Sequence, residues 1–194
     1  MAQGSRRSER MKAVLARRQP DLTVVLENIH DPHNVSAILR SCDAVGVMQV
    51  ELLYTIEKFP RIGRKSSSSA NKWLDRRKHT SVAECFATLR AEGFAIYATH
   101  LGADARPLYD LDLLKKVALV FGNEHRGVSE EAARLADENF QIPMMGMIQS
   151  LNVSVACAVS LYEALRQRLA HGDMGNQKLS RQELHTLYND WIRR

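Results

Sequence analysis

Two short runs constrain this chain more than any other feature: Leu22-Thr-Val-Val-Leu26 and Val117-Ala-Leu-Val-Phe121. Both are too short for a helix with its own apolar stripe. They are rich in β-branched side chains and lack the polar alternation of a half-exposed strand. Strands of that kind are buried on both faces, and a sheet buried on both faces is parallel, with helices above and below. The intervening sequence supplies the helices. Asn34–Val45 places Val35, Ile38, Leu39, Cys42 and Val45 on one face and stops at Gly46. Ser81-Val-Ala-Glu84 reads as a capping box opening a helix through Phe86 and Leu89 to Gly93. Further helices are read at Ser129–Asp137 and about Val153–Ala170, and Ser180-Arg-Gln-Glu183 opens a last one carrying Leu184, Leu187, Tyr188 and Trp191. Val47–Tyr54, Phe94–Thr99 and Phe140–Ile142 read as strands. The expected class is therefore α/β, a mostly parallel sheet with helices on both faces. Such sheets bind ligands beyond the carboxyl ends of their strands, which directs attention to loops 28–34, 99–106, 122–128 and 143–152.

The 194 residues are enough for one domain with a real core. No segment approaches the roughly 18 apolar residues of a membrane span. Met-Ala-Gln-Gly-Ser-Arg-Arg at the N-terminus lacks the apolar centre of a secretory signal. Cys42, Cys85 and Cys157 are far apart and odd in number, so they read as buried thiols in a reducing cytoplasm rather than as a disulfide framework or a zinc ribbon. Charge is distributed unevenly. Residues 1–19 hold six basic side chains against Glu9, and residues 57–80 hold eight against Glu57 and Asp75. With a formal net charge of +5, the remainder of the chain is acidic. Two basic segments on an otherwise acidic chain point to a polyanionic partner.

Most familiar site motifs are absent. There is no GxGxxG, HExxH or GxSxG, and Gly122-Asn-Glu-His-Arg-Gly127 is followed by Val128 where a phosphate loop needs Lys. The histidines do not cluster with carboxylates at ligand spacing, so no metal is expected. Three other segments carry the chemistry. Asn34-Val-Ser-Ala-Ile-Leu-Arg40 places an amide at a helix start, where it can cap backbone N–H groups, and an arginine two turns on. Gly122 ends a buried strand and lets the backbone approach a ligand, with Glu124 just beyond it as either an ion-pair partner or a site carboxylate. Ile142-Pro-Met-Met-Gly-Met-Ile-Gln-Ser-Leu-Asn152 suits neither strand nor helix. Read as a buried loop, it has free backbone groups that could cradle an adenine edge.

In this order the three segments closely resemble the motifs of the SPOUT methyltransferases of the TrmH (SpoU) type. Arg17-Arg-Gln-Pro-Asp-Leu-Thr23, Cys42-Asp-Ala-Val-Gly46 and Gln149-Ser-Leu-Asn-Val-Ser-Val-Ala156 extend the likeness over essentially the whole chain, toward the bacterial tRNA (guanosine-2′-O)-methyltransferases. The resemblance implies a C-terminal deep trefoil knot near 118–170 and a homodimer. The apolar faces of Asn34–Val45 and Val153–Ala170 are compatible with that pairing. It also implies methyl transfer from S-adenosylmethionine to the ribose of the D-loop guanosine at position eighteen of tRNA, without a metal. By motif it assigns catalysis to Arg40, Asn34, Glu124, Ser150 and Asn152, and cofactor contacts, mainly through backbone, to Thr99, Gly122, Ile142 and Leu151. Arginine stays protonated, so the cheaper role for Arg40 is electrostatic: it would hold the neighbouring phosphate and stabilise the developing alkoxide. Asn34 and Glu124 would orient it.

The organisation expected is a basic helical extension over residues 1–20, a methyltransferase domain over 21–172 and a helical extension over 173–194. The basic segments nominate Arg6, Arg7, Arg10, Arg17, Arg18, Arg64, Lys65 and Lys72 for tRNA. The alternatives are a ribosomal RNA 2′-O-methyltransferase, whose relatives usually carry a further N-terminal domain, and an inactive RNA-binding protein of the same fold.

Overall fold

A computed structural model describes residues 2–60, 70–172 and 177–194. The chain runs α1 (Ala2–Leu15), β1 (Leu22–Glu27), α2 (Pro32–Val45), β2 (Gln49–Leu53), β3 (Asp75–His79), α3 (Val82–Ala91), β4 (Ala95–Thr99), β5 (Arg106–Pro107), β6 (Val117–Phe121), α4 (Glu130–Leu135), β7 (Glu138–Gln141), α5 (Val153–His171) and α6 (Arg181–Arg193). Among these residues the strands form one sheet in the order β3-β2-β1-β6-β4-β7-β5, and every pairing is parallel. From the central pair β1–β6 the chain winds outward to both sides, which places the crevice for a ligand at the carboxyl ends of these strands.

The two apolar runs alternate between layers. Leu22, Val24 and Leu26, with Val117, Leu119 and Phe121, enter the core beneath α2 and α5. Val25, Ala118 and Val120 enter the core beneath α3 and α4. The helix starts follow local chemistry. Asp31 caps α2 by accepting the His33 N–H, and Pro32 occupies its first turn. Ser180 and Glu183 form the full capping box of α6. Gly46 ends α2 at φ 89°, and a Cβ there would stand 2.8 Å from the Arg17 carbonyl oxygen, so only glycine fits. No helix among the described residues is long and apolar enough to cross a membrane.

Several expectations change. Asn34 does not cap α2, because Asp31 does and Asn34 is buried inside the first turn. The inner face of α2 packs against α5 in the same chain and is consumed by the core, so it is not a free dimer face. β3, Asp-Arg-Arg-Lys-His, was legible only as charge, because an edge strand needs no apolar pattern. Arg18 is not a surface cation. It is 2% exposed, donates to the Val47 carbonyl and the Asp43 carboxylate, and lies 5.1 Å over the Trp191 ring. Its neighbours explain the burial: Met11 and Leu15 of α1 pack with Trp191 of α6 and with Trp73, so the two terminal helices form one satellite core against the start of β3.

Candidate active site

The crevice at the carboxyl ends is a cleft of about 760 Å³, walled by the chain after β4, β6 and β7 and by the segment entering α5. Thr99, Gly122, Ile142, Leu151, Glu124, Ser150 and Asn152 all line it. Its base is a tight turn after β6. Asn123 and Gly127 exchange both backbone hydrogen bonds, Gly127 takes φ 69°, and the Asn123 side chain accepts the N–H groups of His125 and Arg126 while donating to the Asn28 carbonyl. Glu27, buried at the end of β1, accepts the Ser129 N–H and holds the far side of the turn.

This turn aims Glu124 at the loop after β1. Its carboxylate accepts the backbone N–H groups of His30 and Asp31 at 3.1 Å each and the Asn34 side-chain amide at 2.9 Å. Asn34 in turn accepts the Asn152 amide at 3.0 Å, and Asn152 caps α5 through the Ser154 N–H. Burial opposes ionisation of Glu124, but the hydrogen bonds from Asn34 and from the backbone N–H groups of Glu124 itself, His30 and Asp31 outweigh it. The carboxyl is held below its ordinary range. Glu124 is thus a site carboxylate whose partners are N–H donors.

Arg40 stands apart. It is exposed on α2, does not line the cleft, and its side chain makes no hydrogen bond among the described residues. The expected contact of Arg40 with Asn34 and Glu124 is not made within one chain. The methionine loop also differs from its expectation: Met145, Met147 and Ile148 are 94%, 99% and 74% exposed, because no layer of the sandwich extends beyond the strand ends to cover them. Arg6, Arg7, Arg10, Arg17 and Lys72 are exposed, whereas Arg64 and Lys65 lie outside the described residues. Sequence reasoning passed over Asn28 and Asn123. Asn28 takes φ 52°, and its side-chain oxygen accepts the N–H groups of Thr55, Ile56 and Glu57. The available signal was an asparagine just past a strand, the residue type that tolerates this backbone and bonds locally.

Gly122 leaves no room for a side chain, since an added Cβ would lie 2.1 Å from backbone atoms of Gly127 and Val128. Gly122→Ala is expected to force the turn open. Overpacking of this kind costs about 1–3 kcal/mol, read as about 2–4 °C of Tm per kcal/mol for a domain of this size. An unchanged melting temperature would show that the turn yields freely.

Shared hydrogen bonds, and not proximity alone, join the three motifs at one cleft of a parallel α/β sheet, the arrangement of an α/β enzyme whose motifs resemble those of the SpoU-type methylases. The comparisons with known proteins narrow it. The chain belongs to the SpoU rRNA Methylase family, whose model matches residues 21–162. It is 48% identical to the tRNA (guanosine(18)-2′-O)-methyltransferase of Thermus thermophilus over 97% of this chain and 96% of that protein. The crystal structure of the Aquifex aeolicus TrmH/SpoU tRNA modifying enzyme superposes with a TM-score of 0.91 at 38% identity, covering 97% of this chain and 96% of that one. The SpoU methyltransferase AviRb of Streptomyces viridochromogenes, solved with its cofactor AdoMet, superposes with a TM-score of 0.68 at 30% identity, over 79% of this chain and 60% of that one.

Proposed function

We propose that this protein is an S-adenosylmethionine-dependent tRNA ribose 2′-O-methyltransferase that modifies guanosine 18 of the D-loop. The observation that carries the reading is the likeness, along nearly the full length of both chains, to an enzyme named for that reaction. That likeness favours tRNA over ribosomal RNA as substrate. Against an inactive RNA-binding protein stand Asn34, Glu124 and Asn152, joined by hydrogen bonds at the cleft. The test is methylation of total tRNA with labelled S-adenosylmethionine, followed by mapping of the product. Label in ribosomal RNA alone, or on a base, would overturn the assignment.

The cleft fits the cofactor. Its volume lies within the range of small-molecule sites. Gly122, Ile142 and Leu151, on irregular backbone, and Thr99, at the end of β4, would hold the cofactor. When bound, it supplies an electrophilic methyl on a sulfonium. The chain's own residues do the rest. Asn152 fixes the start of α5 and, with Ser150, shapes the loop over the cleft. Asn34 and Glu124 lock the loop after β1 against it. Arg40 binds the phosphate beside the reacting ribose and stabilises the charge that develops on the 2′-oxygen. The same proposal includes the trefoil knot over about 118–170, the cytoplasmic location, and the division into a domain over 21–172 with helical extensions at 1–20 and 173–194.

A homodimer completes this arrangement. Val155, Tyr162 and Leu169 recur every seventh residue along the outer face of α5 at 45%, 53% and 58% exposure. Apolar side chains so exposed in one line form an interface. α2 packs beside α5, and in such a dimer Arg40, absent from the cleft of its own chain, would serve that of its partner.

The basic helix α1 serves tRNA binding. Neutralising Arg6, Arg7 and Arg10 together is expected to weaken tRNA binding and flatten its salt dependence by roughly one unit of slope per lost phosphate contact. An unchanged slope would remove α1 from the interface.

A further inference from the structure

β3 is an edge strand that sorts its charges by face. Arg77 bonds to both Glu51 and Glu92, and His79 lies 2.6 Å from Glu51, all on the α3 side of the sheet. Asp75, in the same alternation, pairs with Arg194. Arg76 and Lys78 point the other way. Both are exposed, and neither makes an ion pair among the described residues. Their register partners are Val50 and Leu52, which belong to the core beneath α2. The two free cations therefore stand on the same face of the sheet as α2, the helix that carries Arg40, just past the edge of the apolar layer.

We propose that Arg76 and Lys78 form a track for the phosphate backbone of the substrate RNA, running from the terminal helices to the cleft. The proposal rests on the reading of the chain as a tRNA enzyme. The position of β3 supports it at both ends. At its start, Trp73 packs on Trp191 in the core shared by α1 and α6, and the exposed Lys72 precedes it. At its finish, the His79 carbonyl accepts the Tyr54 N–H. The next residues, Thr55–Glu57, are gripped by Asn28, and Glu57 pairs with Arg126 on the cleft wall. Residues two apart on a strand project about 6.6 Å apart on one side, close to the spacing of successive phosphates along an RNA strand. The acidic residue of β3 lies on the opposite face and is already paired, so nothing on the strand's RNA-facing side opposes an anion.

Charged edge strands also guard a sheet against pairing with another chain, and the experiment separates the two roles. tRNA binding by Arg76→Gln/Lys78→Gln is measured from low to moderate salt, beside Lys115→Gln/Arg134→Gln, which removes equal charge elsewhere on the surface. Methyl transfer and light scattering are followed in parallel. The track variant is expected to lose about 1.4–1.8 units from the slope of log affinity against log salt, two contacts at about 0.7–0.9 each. Its loss of activity should fall on the KM for tRNA rather than on kcat. The control pair should keep the native slope. The track is overturned by a native slope in the variant, by an equal loss in the control pair, or by aggregation with native RNA affinity. If the native chain shows the track-dependent slope but methylates no tRNA, the assigned reaction falls and the track stands.

Discussion

Arg40→Lys is expected to lower single-turnover methyl transfer by about 10²–10³ while S-adenosylmethionine affinity stays native. The magnitude is that of removing one preorganised donor from a developing oxyanion. Lysine keeps the charge but not the function. Holding a phosphate and a ribose oxygen together needs a planar group with several fixed donors, and an ammonium on a flexible stem offers one point charge. The structure sharpens the expectation for the cofactor, because Arg40 is exposed and absent from the cleft wall, so the site of its own chain should not register the change. Isothermal titration with S-adenosylmethionine and rapid-quench methylation of tRNA read the two quantities separately. Full activity in the lysine variant would refute the fork. Loss of cofactor affinity would make Arg40 a support of the cleft and withdraw its catalytic assignment.

What the sequence reveals here depends on whether a residue's job is local. β1 and β6 were legible because a strand buried on both faces has to be apolar throughout, and VALVF is a strand from its first residue to its last. The capping box at Ser180 was legible for the same reason, since its partners are three residues apart. β3 was not, because an edge strand beside Glu51 can be built from charged residues once the partner carboxylate is buried next door. Arg18 shows the same limit: six basic residues near the N-terminus look alike in one dimension, and only the meeting of α1 with α6 buries this one over Trp191. At the site, motif resemblance nominated Asn34, Glu124 and Asn152. That they bond in sequence across separations of 90 and 118 residues is a property of the fold. The turn-building Asn28 and Asn123 escaped because their effect is to place other residues.

That bonded chain sets the last expectation, a roughly tenfold loss of methyl transfer in Glu124→Gln. The native carboxylate faces three N–H donors, from His30, Asp31 and Asn34, and its lowered pKa reflects hydrogen bonds that outweigh the opposing effect of burial. An amide of the same shape keeps one oxygen, which in the Oε1 place still accepts from Asp31 and Asn34, and turns an NH₂ group toward the His30 N–H. Hydrogen bonds to a charged acceptor contribute about 1.5–3 kcal/mol against about 0.5–1.5 kcal/mol for neutral ones, and about 1.4 kcal/mol is a factor of ten in rate. Losing the His30 bond, and the charge behind the other two, loosens the loop after β1 against the cleft. The pH dependence has a definite sign. A group whose folded pKa is depressed gives its stabilisation in full above the ordinary carboxylate range and loses it as pH falls through the lowered folded value. The native protein should therefore keep its loop closed through neutral pH and lose that stability only in acid, whereas Glu124→Gln should lack this acid limb and melt lower at neutral pH. Melting curves across pH, with single-turnover rates at pH 7, measure both. If the variant melts and reacts like the native protein, the carboxylate is not what joins the motifs, and the alignment of Asn34 with Asn152 has to come from helix packing alone.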